Sequence, residues 1–110
     1  MTPEEARDRL EELRVLIDDV DRHIVELLNQ RTRVVEDIGC VKRQAGLPIY
    51  EPKREDQVFA NVAQSNQGPM THEALRGIFE RIIDEMRRVQ RVRMSADGDV
   101  AAGQARPGDK

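Results

Sequence analysis

Residues 4–45 contain no proline, and Gly39 is their only glycine. Thr2-Pro3-Glu4-Glu5 opens this stretch with helix-start signals. Thr2 can cap, Pro3 suits a first turn, and Glu5 can complete a capping box. Gly46 supplies a C-terminal stop, with Pro48 just beyond it. Between these signals the spacing predicts one helix of roughly 40 residues and about 60 Å. A compact domain of about 100 residues has a radius of gyration of only about 13 Å, and the whole chain has 110 residues. Such a helix outruns what the rest of its own chain can cover, so a second chain is expected to cover it.

Large apolar side chains recur along it at Leu10, Leu13, Ile17, Val20, Ile24 and Leu27, alternating steps of three and four. The next step, within "LLNQRTRVV", lands on Arg31, and the rhythm resumes at Val34, Ile38 and Val41. "LPIYEPKRED" follows. Pro48 and Pro52 bias Leu47 and Glu51 to extended backbone, and Pro52 suits the first turn of a second helix with acidic Glu51 at its entrance. Val58, Phe59, Val62 and Ala63 give that helix one modest apolar face. "SNQGP" (65–69) reads as a loop. Thr71 then caps a third helix whose apolar period runs through Leu75, Ile78, Phe79, Ile82, Ile83, Met86 and Val89. After Met94 the apolar period stops. The expected organisation is one helical domain over 1–94 and a disordered tail over 95–110. No strand signal and no repeat occurs, so the fold class is all-α with three helices per chain.

Composition narrows function. A net charge of -3 argues against nonspecific nucleic-acid binding, which calls for a basic excess. No apolar run is long enough to cross a membrane, and the acidic N-terminus has no signal-peptide core. Cys40 is the only cysteine, which excludes an internal disulfide and a thiolate cluster. A cytoplasmic protein is expected. His23 and His72 lack partners at metal-ligand spacing, so no metal is assigned. There is no glycine-rich phosphate loop and no Ser/His or Cys/His pair for nucleophilic catalysis.

What remains is a set of polar residues inside apolar rows. Arg31 alone would read as a register-setting charge. Yet Gln90 continues the row of Phe79, Ile83 and Met86, and Glu55 precedes Val58, Phe59 and Val62. Each helix carries one polar residue in its stripe, and buried polar groups require partners, so the three should meet one another or a ligand. Lys42 lies eleven residues after Arg31, about 16 Å along the axis on nearly the same face. Two long cations leaning together can grip a small anion. Arg14 is about 25 Å before Arg31 and cannot reach that anion within its own chain. Two first helices packed antiparallel about a two-fold axis near residue 24 set residue 14 of one level with about residue 34 of the other. Arg54 and Glu55 open the second helix and can close the pocket from the side, although "KRED" also reads as a solvated helix start.

In this order and spacing, Arg14, "LNQR" ending at Arg31, Lys42, "PIYEPKRE" over 48–55 and Gln90 resemble the all-helical, type II chorismate mutase family. The resemblance covers residues 4–94 and implies an intertwined homodimer, a six-helix bundle, converting chorismate to prephenate in phenylalanine and tyrosine biosynthesis. It implies that Arg31 and Arg14 of the partner subunit bind the substrate carboxylates, that Lys42 and Gln90 address the ether oxygen, and that Glu55 holds the ring hydroxyl. Glu51 falls at an often acidic position, and Arg54 adds positive potential. Met86 stands where some members carry a substrate-binding serine. The reaction is intramolecular and implies no cofactor. Three rivals remain: an isochorismate-pyruvate lyase of the same fold, disfavoured by the retained "KRE" at 53–55; a weakly active or regulatory module that depends on a partner enzyme of the aromatic pathway; and a plain structural coiled coil, disfavoured by the polar residues in all three apolar stripes.

Overall fold

The computed structural model describes residues 1–103. Three helices form the chain: α1 (Pro3–Ala45), α2 (Pro52–Ser65) and α3 (His72–Gly103). No strand occurs among the described residues, and among them no helix is long and apolar enough to cross a membrane. Internal contacts divide the chain into two units, Met1–Arg33 and Val34–Lys110.

The first unit is the leading part of α1. Its start is the anticipated capping box: the Glu5 backbone N–H donates to Thr2 Oγ1 at 3.1 Å, and the Thr2 N–H donates to Glu5 Oε1 at 3.2 Å. No residue of 1–33 is buried. The apolar row Leu10, Leu13, Ile17, Val20, Ile24 and Leu27 is exposed throughout. Its ion pairs, Arg9–Glu12 and Arg22–Asp19, sit on the surface, where such pairs contribute little.

The second unit contains the end of α1 with α2 and α3. Here α1 buries Val35, Gly39 and Lys42, and α3 buries Ile83, Met86 and Gln90. Val34, Ile38 and Val41, the continuation of the seam, remain 58%, 41% and 60% exposed. The seam is therefore not the face that α1 turns toward its own chain; that face lies about one residue, or 100°, around the helix. Gly39 lies on this face against Gln90: a Cβ built there would stand 3.5 Å from Gln90 Cα, an ordinary contact distance.

Val58, Phe59 and Val62 on α2 and Leu75, Phe79 and Ile82 on α3 are half-buried, whereas Ala63 is exposed. Arg76 lies over the Phe59 ring at 4.0 Å. The turns follow the local chemistry. Gly46 ends α1 at φ +68. The Leu47 N–H donates to the Lys42 carbonyl at 2.8 Å and the Gly46 N–H to that of Arg43 at 3.3 Å, the paired bonds of a Schellman stop. Thr71 Oγ1 accepts from the Ala74 N–H at 3.1 Å and caps α3. Asn66 braces the intervening loop, donating to the Met70 carbonyl and accepting from the Gly68 N–H.

α3 continues past Met94 to Gly103, into the segment expected as a tail. No proline interrupts it before Pro107, and Ala96, Ala101 and Ala102 favour helix. The rest of that expected tail, 104–110, lies outside the described residues.

Candidate active site

Lys42 stands in the last turn of α1, where a cation complements the helix C-terminus. It is 7% exposed and Gln90 8%. A buried ammonium without acceptors would be strongly unfavourable. Lys42 has three: Nζ donates to Gln90 Oε1 at 2.9 Å, to the Ile49 carbonyl at 2.9 Å, and to Glu51 Oε1 at 2.8 Å. Those match the three donors of an ammonium. Each comes from a different place: Gln90 from α3, Ile49 from the loop that Gly46 turns back, and Glu51 from the entrance of α2.

Glu51 is the N-cap residue of α2, yet its side chain makes no capping bond. Its carboxylate goes to Lys42 instead. Pro52 makes this tolerable, because a proline in the first turn has no N–H to cap. Gln90 commits its oxygen to Lys42, and the other arm of its amide carries two N–H donors.

A second polar cluster surrounds Glu55. Arg87 Nε lies 3.5 Å from Glu55 Oε2, with the side chains 24% and 21% exposed. Another nitrogen of the same guanidinium pairs with Asp84 on its own helix, and its carbon lies 5.4 Å from the centre of the Tyr50 ring. Sequence reasoning did not single out Arg87, because the charge in "MRRVQR" (86–91) reads as solvated helix surface. The available signal was its position three residues before Gln90, on the same side of α3.

The structure thus brings Lys42, Gln90 and Glu51 into direct contact, sets Glu55 against Arg87, and buries Met86 one turn before Gln90. Arg54 is exposed on the first turn of α2, where it donates to Gln57 Oε1 at 3.3 Å. Arg14 and Arg31 belong to the first unit, Arg14 exposed and Arg31 half-buried. Among the described residues no cluster of three His, Cys, Asp or Glu side chains is placed to hold a metal ion. An open groove of about 610 Å³ at the α2–α3 turn, lined by residues such as Asn61, Ser65, Leu75 and Phe79, includes none of the candidate side chains.

The arrangement is a cation and an amide held side by side, with carboxylates at the rim. It suits an anionic or oxygen-rich small molecule, and it offers hydrogen-bond donors rather than a nucleophile. Comparison with known proteins shows the family. Residues 13–91 match the family described as chorismate mutase type II. The chain is 39% identical over 80 residues to a bifunctional chorismate mutase/prephenate dehydratase of Aquifex aeolicus, a match covering 69% of this chain and 22% of that protein. It is 33% identical over 55 residues to a chorismate mutase of Methanocaldococcus jannaschii, covering 50% of this chain and 56% of that one. A chorismate mutase structure from Thermus thermophilus superposes with a TM-score of 0.74 at 36% identity, covering 76% of this chain and 94% of that chain. The chain spans about a fifth of the length of the bifunctional relatives, 22% in the Aquifex case. By family model, sequence and fold, this chain belongs to the type II chorismate mutase family.

Proposed function

We propose that this chain rearranges chorismate to prephenate, acting as a homodimer. The buried Lys42–Gln90 pair carries the reading. In this reaction one ether C–O bond breaks while one C–C bond forms within the same molecule. No proton, electron or group leaves, so the protein has two tasks. It must hold a dianion in the folded, reactive conformer, and it must stabilise negative charge growing on the ether oxygen.

Lys42 and the amide N–H groups of Gln90 meet that oxygen. All three Lys42 donors are engaged without substrate, so one acceptor must give way. Glu51, with a side chain 49% exposed and at a loop end, is the one free to swing out. Arg31 and Arg14 of the partner subunit take the substrate carboxylates, Glu55 takes the ring hydroxyl, and Arg54 adds positive potential at the rim. Met86 presents an apolar wall where some relatives offer a serine. The exposed seam on α1, including Val34, Ile38 and Val41, supports the dimer, since contiguous apolar surface of this kind marks a protein contact. Cytoplasmic location belongs to the same reading and rests on the single cysteine. Fusion to prephenate dehydratase in the Aquifex relative supports a second, compatible reading, in which the domain works beside an enzyme that consumes its product.

The test is prephenate formation by the purified chain, with isochorismate as the alternative substrate. Lys42→Ala should lower kcat on the order of 100–1000-fold, the usual effect of removing a preorganised oxyanion donor. Pyruvate release from isochorismate without any prephenate from chorismate would replace this reading with the lyase.

A further inference from the structure

We infer that Arg87 is a positioning residue of this site, holding the Glu55 carboxylate in the orientation from which it receives the ring hydroxyl of the substrate. The inference rests on the chorismate mutase reading above. Its starting point is the guanidinium itself. One terminal nitrogen is tied to Asp84, three residues back on α3, and the guanidinium carbon lies 5.4 Å from the Tyr50 ring centre. A planar guanidinium fixed at one edge has its remaining donors fixed as well. Its Nε is buried and has no hydrogen-bond partner, and the nearest carboxylate oxygen, Glu55 Oε2, stands 3.5 Å away. That is a few tenths of an ångström beyond the usual limit of about 3.2 Å for such a bond. A small movement of Glu55 toward α3 closes it.

A carboxylate offers only acceptors. With Oε2 held by Arg87, the other oxygen remains for an incoming hydroxyl. The helix supplies the spacing. Arg87 and Gln90 are three residues apart on α3, about 4.5 Å along its axis. One helical turn therefore governs both polar points of contact: Gln90 reaches Lys42 on α1, and Arg87 reaches Glu55 on α2. Chorismate carries its ether oxygen and its hydroxyl on adjacent ring carbons, so one rigid turn aligns the groups that recognise both.

The experiment compares wild type with Arg87→Met, Arg87→Lys, Glu55→Gln and the Glu55→Gln/Arg87→Met double variant. Lysine keeps charge and bulk should the methionine variant not fold. Arg87→Met should raise KM for chorismate about tenfold, the scale of one hydrogen bond to a charged group, and Arg87→Lys should recover part of it. The double variant should be no worse than Glu55→Gln alone. An analogue with hydrogen in place of the ring hydroxyl should inhibit wild type and Arg87→Met with the same constant. Losses that multiply in the double variant, or an equal loss of affinity for the analogue, would reduce Arg87 to a structural ion pair and overturn the inference. Wild-type turnover accompanied by that result leaves the mutase reading standing; a folded wild-type dimer that makes no prephenate defeats both.

Discussion

Gly39 and Gln90 face each other across α1 and α3, and the distance between them decides what position 39 tolerates. A methyl at Gly39 would meet Gln90 Cα at 3.5 Å and Cγ at 3.6 Å, ordinary contact distances. A helix-interior glycine also carries a penalty of about 0.5–1 kcal/mol relative to alanine. Gly39→Ala should therefore raise the melting temperature by a few degrees and leave kcat near that of wild type. Gly39→Leu should push Gln90 away from Lys42 and lower kcat. Thermal melts and steady-state assays check both, and a destabilised alanine variant would mean that another surface already fills the space. Lys42, Gln90 and Glu55 could be read from the sequence as candidates because each demands an explanation: Gln90 continues an apolar row, Glu55 precedes one, and Lys42 lies at helical spacing from a seam cation. Arg87 was not, since it stands in a charged run and interrupts nothing. Only the fold shows that Tyr50 and Glu55 close over it.

At the scale of elements, caps and stops carried most of the information. Thr2 with Glu5, Gly46, Pro52 and Thr71 fixed where helices begin or end, because each acts through its own backbone neighbours. Gly46 does more than end α1. At φ +68 it turns the chain so that Ile49 and Glu51 return to Lys42. A side chain at positive φ costs about 1 kcal/mol, so Gly46→Ala should destabilise the fold by about that amount. It should also weaken turnover, because the loop that supplies two of the three Lys42 partners shifts. Denaturant titration and kcat measured on the same sample test this; unchanged turnover would detach the loop from the site. Two features escaped the element-level reading. The residues that α1 buries are Val35, Gly39 and Lys42 rather than the seam, because a short face of one valine, one glycine and one lysine leaves no hydrophobic periodicity to read. α3 also runs beyond its apolar period, since helix requires only compatible residues there.

At the scale of the whole molecule, the proposed dimer makes a sharp prediction. α1 spans Pro3–Ala45, so a two-fold axis at its midpoint, near residue 24, places Arg14 of the partner subunit level with about residue 34. Under this arrangement Arg14→Ala and Arg31→Ala should each inactivate the homodimer. A mixed dimer of the two variants then has one pocket lacking both cations and one lacking neither. Co-refolding the two inactive proteins should restore activity, approaching one working site per mixed dimer. Mixed dimers verified by differential tagging that remain inactive would refute the cross-chain role of Arg14, and a folded monomer in sedimentation at micromolar concentration would remove the dimer itself.

The sequence by itself determined three helices, the start of each, the ends of α1 and α2, and the identity of the polar residues that must find partners. These depend on local backbone chemistry and on the high free energy of an unpaired buried charge, both visible in one dimension. Tertiary structure decided which partner each residue found. Lys42 collects Gln90, Ile49 and Glu51 from three separate stretches of chain, and Glu55 is met by an arginine that no periodicity marks. Such pairings depend on how close two backbones come, and that distance is set by packing across helices, as where Gly39 lies against Gln90 beside the Lys42–Gln90 bond.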